Sequence, residues 1–174
     1  MSGNVSFEGL VSLYYSSLYQ FAYSLTRSES DACDLTQQTF YIWAEKGHQL
    51  RDEKKVKSWL FTTLHREFLE THRRRVRFPH QELELAAPEL PNVETDWAAI
   101  VDSANIVELL EEIDPQYQAA LSLFYLQDHP YKEIAEILDI PLGTVKSRIS
   151  RGIAQMQQLL LERPGKASAR KEQQ

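Results

Sequence analysis

Cysteine is nearly missing from this chain, with Cys33 alone in 174 residues. A single thiol cannot close an internal disulfide, which agrees with a reducing cytoplasm. No long apolar run occurs, so no membrane span is expected. The opening MSGNVSFEG lacks the basic start and apolar stretch of a secretory signal. Positive charge is not in excess either. The formal net charge of −6 argues against a simple polycationic nucleic-acid binder. No nucleophile–base pair stands out. His65, Glu67, Glu70 and His72 lie near one another, but H-E-x-x-H spacing and a third ligand are both missing. No catalytic residue, metal or cofactor is therefore expected, and Cys33 reads as a small packing residue. No segment alternates like a strand.

What is present is helical periodicity and a strong charge asymmetry. At 43% hydrophobic residues the chain can build a core, and its length fits one domain or two small ones. From Lys54 to Arg77 eight Lys/Arg stand against two acids, a net +6. From Val76 to Ser103 one arginine stands against six acids, a net −5, with Pro79, Pro88 and Pro91 interrupting any regular pattern. Apolar residues at three-to-four spacing predict helices around Phe7–Leu25, Ala32–Trp43 and Lys55–Arg75. Ser28 or Ser30 is a plausible N-cap for the second, and Trp43 and Trp59 fall on apolar stripes. Periodicity resumes at Ile106. Asp114-Pro115 reads as an N-cap followed by proline at the first helical position. A short helix through Ile134, Ala135 and Leu138 is followed by Asp139-Ile-Pro and a last helix starting near Gly143 or Thr144. The chain is thus expected to be all-α. Two small helical domains, 1–77 and 104–163, are joined by an extended acidic linker, 78–103, with a disordered tail over 164–174.

Short helix, tight turn and longer helix is the layout of a helix-turn-helix. On the last helix Val145, Ile149, Ile153, Met156 and Leu160 form one stripe. Ser147 and Arg151 are expected to point most directly away from it, flanked by Lys146, Arg148 and Ser150. Hydroxyls permit close approach to a groove, and cations contact phosphate or guanine. Thr144 at the helix start can donate to a phosphate beside free backbone N–H groups. The pattern alone equally fits a packing helix with a solvated basic face.

The segment from Ile106 to Leu161, with its EIAEIL and GTVKSRISR blocks, resembles region 4 of the extracytoplasmic-function sigma factors of bacterial RNA polymerase. DACDLTQQTFYIWAEK and KKVKSWLFTTLHREFLETHRRR resemble region 2 of the same family, in the same order. The resemblance implies an alternative sigma factor that docks on core polymerase and directs promoter recognition, DNA melting and initiation. It places Asp34, Gln37 and Gln38 on the clamp helices of the largest subunit. It places Lys54, Lys55, Lys57, Arg66, Arg73, Arg74 and Arg75 toward the melted element, and the last helix on the upstream duplex element, with its other surface toward the polymerase flap. An anti-sigma partner is the family's usual control, and a monomer is expected when free. The acidic linker is implied to thread the polymerase cleft, and its charge suggests that it screens the basic faces in the free protein.

Some positions depart from the family pattern. Gln38 stands where Glu is usual, Arg66 where Asn is usual, and Glu70 where Asp is usual. Pro130 replaces a common Ser, and Gly152 sits where Ala is usual. Two other functions remain open at this point. One is a free-standing helix-turn-helix regulator, which would bind its operator without polymerase. The other is a small enzyme, for which no catalytic constellation is present.

Overall fold

The computed structural model describes residues 6–75 and 103–162. The expectations for the linker beyond residue 75 and for the tail lie outside these residues. Seven α-helices occur among them and no strand: α1 Phe7–Thr26, α2 Glu29–Lys46, α3 Val56–Arg75, α4 Ser103–Glu112, α5 Pro115–Tyr125, α6 Tyr131–Leu138 and α7 Leu142–Glu162.

Local chemistry fixes the helix ends. The Ser6 hydroxyl accepts from the Gly9 amide at 3.1 Å and starts α1. Arg27, in the left-handed region at φ 54°, ends α1 by returning its amide to the Tyr23 carbonyl. Ser28 then caps α2 by accepting from the Asp31 amide at 3.3 Å. The two helices are thereby folded back on each other. Leu10, Leu18, Phe21 and Ala22 of α1 bury against Ala32, Leu35 and Phe40 of α2 and against Val56, Leu60, Phe61 and Leu64 of α3. Phe21 and Phe61 meet at 5.5 Å between ring centres. Full burial of each such side chain contributes roughly 1.5–3 kcal/mol. Thr36 and Thr39 also lie in this core, their hydroxyls donating to the carbonyls four residues back at 2.7 and 2.8 Å. A buried hydroxyl satisfied within its own helix carries little penalty.

A 3₁₀ turn at Gly47–Gln49 follows α2, and a second at Glu53–Lys55 leads into α3. Gly47 is buried against the Trp43 indole, where a Cβ would come within 2.6 Å of the ring. Trp43 in turn meets Trp59 edge-to-face at 5.1 Å. Both tryptophans are half-buried and packed against the core.

The second half is built the same way. Asp114 caps α5 by accepting from the Gln116 amide at 3.2 Å, with Pro115 at the first turn. Buried Gln118 donates from Nε2 to the carbonyls of Leu110 (2.7 Å) and Ile113 (3.1 Å), tying α5 to the end of α4. α6 ends at Asp139 in the left-handed region, where its amide turns back onto α6, and α7 begins three residues later. α7 packs on α5 and α6 through Val145, Ile149, Gly152 and Met156. Gly152 takes the place expected for Ile153, and both Ile153 and Leu160 are only half-buried. A Cβ on Gly152 would run into Leu121 Cδ1 and lie 3.1 Å from Tyr117 Cβ, so α5 and α7 approach closely at this residue.

The two halves pack on each other, α1 against α5 and α3 against α6. Polar residues of both halves hydrogen-bond across this contact, beside an apolar core that the halves share.

Candidate nucleic-acid interface

α7 presents its first turn with no acidic residue, leaving a helix N-terminus of positive potential. Burying Gly152 instead of Ile153 rotates the outward pole, which corrects the expected orientation. Lys146 and Ser150 are exposed, whereas Thr144, Ser147, Arg148 and Arg151 are half-buried. The Ser147 hydroxyl donates to the Thr144 carbonyl at 3.0 Å, one turn back. Arg148 lies toward α3 with its Nε shut away from solvent. There its charge bears on His65, whose pKa falls to about 4, chiefly through burial and secondarily through Arg148.

The cations of α3 divide by position. Lys54 and Lys55 are exposed in the turn before the helix, where Asp52 accepts from the Lys54 amide at 3.0 Å. Arg66 and Arg73 are exposed along the helix. Arg74 pairs with Glu70 at 2.7 Å, both well exposed, a pair that contributes roughly 0–1 kcal/mol and restrains the guanidinium weakly. Arg75 closes the helix, and its side chain is outside the described residues. Lys57 turns inward and donates to the Gln127 carbonyl at 2.8 Å.

On α2, Asp34, Gln37 and Gln38 are exposed at a spacing that keeps them on one face. Gln37 donates to Cys33 Sγ at 3.4 Å. Leu35 and Phe40, the apolar members of this stretch, are buried. Beside this face runs a row of rings unforeseen from the sequence: Phe7, Phe40, Tyr15, Tyr19 and Tyr23, with centres 6.3–6.4 Å apart. Four of the five recur at four- or eight-residue steps on α1, a spacing present in the sequence at Phe7, Tyr15, Tyr19 and Tyr23.

Sequence reasoning also missed the residues that join the halves. Gln127 donates from Nε2 to Gln20 Oε1 at 3.0 Å, and the Ser24 hydroxyl donates to Ser122 Oγ at 3.0 Å. His129, with no side-chain exposure, stacks edge-on against Phe61 at 4.9 Å, its Nδ1 2.8 Å from Glu133. Burial lowers its pKa despite that carboxylate. Among the described residues no group of His, Cys, Asp and Glu is placed to hold a metal ion.

Comparison with known proteins agrees with this geometry. Residues 10–78 match the family described as Sigma-70 region 2, and residues 103–156 match Sigma-70, region 4. The chain is 32% identical over 159 residues to the ECF RNA polymerase sigma factor SigE of Mycolicibacterium smegmatis, covering 89% of this chain and 62% of that one. It is 28% identical over 150 residues to the RNA polymerase sigma factor YlaC of Bacillus subtilis, covering 84% and 87%. Its fold is similar to that of the sigma factor RpoE of Bartonella quintana, solved in complex with the anti-sigma factor NepR. The TM-score is 0.69 at 27% identity, over 90% of this chain and 98% of that one. With both regions matched in order and a relative aligned along most of its length, the chain belongs to the sigma-70 family, as an extracytoplasmic-function sigma factor.

Proposed function

We propose that this chain is an alternative sigma factor that binds core RNA polymerase and takes it to a specific set of promoters. Residues 1–77 serve docking and melting, 78–103 connect, and 104–163 read the upstream element. One observation carries the reading: a helix-turn-helix with an exposed Lys146 and Ser150 shares the chain with an α2 face of Asp34, Gln37 and Gln38 and a cation-bearing α3. A free-standing regulator requires only the first of these.

In this reading α7 enters the major groove. Thr144, Lys146 and Ser150 reach the duplex first, with Ser147, Arg148 and Arg151 behind them. Phosphate contacts fix register, and base-edge contacts supply specificity. Extruding a base costs a few kcal/mol of stacking and pairing, which a shaped pocket and backbone cations must offset. The turn ahead of α3 supplies such cations in Lys54 and Lys55, and α3 adds Arg66, Arg73, Arg74 and Arg75. Asp34, Gln37 and Gln38 take the clamp helices of the polymerase, and the rest of the C-terminal half takes the flap. The protein directs chemistry that the polymerase performs and supplies none itself. Its place of work is the cytoplasm, and its control is an anti-sigma protein; the Bartonella relative was solved in complex with one.

Run-off transcription with purified core polymerase on genomic fragments tests this. Transcripts from discrete start sites that depend on the protein are expected. Tight duplex binding by the protein alone, with no discrete starts, would sink the reading in favour of a free-standing regulator.

A further inference from the structure

A cleft of about 380 Å³ between α1 and α4 has no part in the promoter or polymerase contacts assigned above. Its walls include Tyr19 and Tyr23 of α1, Val107 and Glu111 of α4, and Leu126 just after α5. A largely apolar space of this size, seated between two domains and set with a few polar groups, is the usual form of a small-molecule site.

The charge around it selects the class of ligand. α1 carries Glu8 and no lysine, arginine or histidine in its 20 residues. α4 carries Glu108, Glu111 and Glu112, again with no basic residue. Among the described residues no cation lines the cleft, and Glu111 lines it as a carboxylate. Tyr19 and Tyr23 stand stacked, with ring centres 6.4 Å apart and planes 22° apart. The face of an aromatic ring is itself negative, and it attracts an ammonium group. The pKa of the Tyr19 hydroxyl is raised, first by burial and next by the Glu29 carboxylate, so a second acid bears on these rings. The polar wall residues Gln20, Ser24 and Gln127 are already hydrogen-bonded across the two halves. That leaves Glu111 and the rings to choose what enters.

We propose that this cleft binds a small organic cation, its ammonium group between the Glu111 carboxylate and the rings of Tyr19 and Tyr23, and its apolar body against Val107 and Leu126. The site requires neither polymerase nor DNA, so it stands apart from the sigma-factor reading. Its walls belong to both halves, and a bound cation therefore stabilises their contact and raises the unfolding midpoint.

Benzyltrimethylammonium is the probe, titrated into the full-length protein by calorimetry and by thermal unfolding, beside neutral benzyl alcohol and anionic phenylacetate. The expected Kd is on the order of 1 mM, with a raised unfolding midpoint. Either control should bind about fivefold more weakly or worse. Glu111→Gln and Tyr23→Leu should each lose about fivefold in affinity, whereas Tyr23→Phe keeps the ring and the binding. Glu111 is exposed, so its substitution decides the matter even where Tyr23→Leu fails to fold. No saturable binding at tens of times the expected Kd overturns the proposal. So does equal affinity for the three probes, or unchanged affinity in Glu111→Gln. Binding of an oligolysine peptide without binding of the small cation overturns it too, in favour of a basic segment of another protein. None of these outcomes bears on run-off transcription, which tests the sigma-factor reading separately.

Discussion

Gly152→Ala sets two opposed effects against each other at one methyl group. In a helix interior alanine is favoured over glycine by roughly 0.5–1 kcal/mol, so an open site would gain stability. This site is not open. The added Cβ meets Leu121 Cδ1 and stands 3.1 Å from Tyr117 Cβ. Leu121 is fully buried and Tyr117 nearly so, which leaves neither side chain solvent to move into. Overpacking of this kind costs roughly 1–3 kcal/mol, so the balance is a loss of about 1 kcal/mol. With a urea slope of about 1–3 kcal/mol per molar, the unfolding midpoint falls by roughly half a molar. The decisive assay is a double-mutant cycle. Leu121→Ala alone leaves a cavity and costs roughly 2–5 kcal/mol. In the double variant the alanine methyl occupies part of that cavity, so the combined loss falls short of the sum by about 1 kcal/mol or more. If Gly152→Ala is as stable as the parent, or the cycle is additive, the close approach of α5 and α7 is not what selects glycine.

Three further predictions follow from other residues. His65 is held neutral, with its pKa near 4 instead of 6.5, so the folded state binds its proton less readily than the unfolded state. Its contribution is whole above pH 6.5 and is lost as pH falls toward 4, up to about 3 kcal/mol. Urea midpoints compared at pH 7.5 and 4.5 should therefore drop less in His65→Gln than in the parent, and equal drops would refute the assignment. Lys146→Ala should weaken the holoenzyme on all its promoters about equally and reduce the salt slope by about 1, as loss of one phosphate contact does. Substituting Ser150 or Arg151 should instead shift preference at one or two positions, by roughly 1–3 kcal/mol per base contact. Anisotropy titrations on several promoters at several salt concentrations separate the two, and a promoter-selective Lys146→Ala would contradict the first. Gln118→Leu removes the donor shared by the Leu110 and Ile113 carbonyls and should lower stability by roughly 1–3 kcal/mol in thermal unfolding. No loss would mean that water or rearrangement satisfies both.

Helices and caps were legible because their causes are local. Ser28 and Asp114 cap the helices they precede, and Pro115 begins one. The apolar positions of α1 to α3 repeat at the spacing that buries them. What was not legible depends on residues far apart in the chain. The identity of position 152 makes sense only beside Leu121, on another helix. One misplaced residue in the α7 stripe was enough to turn the expected outward pole from Lys146 and Ser150 to Ser147 and Arg151. Lys57 and Arg148 read as free cations because charge along a sequence says nothing about a carbonyl 70 residues away. The polar joint at Ser24, Ser122, Gln20 and Gln127 has no periodicity and no motif, so no one-dimensional pattern points to it.

The turn over Trp43 has a consequence for how such proteins diversify. At Gly47 the backbone lies on the indole with no room for a side chain, and where the chain re-enters the helix bundle at Val56 it is buried again, three residues from Trp59. Trp43 and Trp59 touch, so the two ends of the intervening segment are pinned to one aromatic pair. Residues 48–55 hang from that pair as an insert of fixed footing, with exposed side chains at His48, Gln49 and from Arg51 to Lys55. Mutation at these exposed positions leaves the bundle's packing alone, whereas Leu50 between them packs against the core. Chemistry at its tip is then free to drift, lengthen or be exchanged between relatives as a cassette, while Gly47 and the two tryptophans hold its mounting constant.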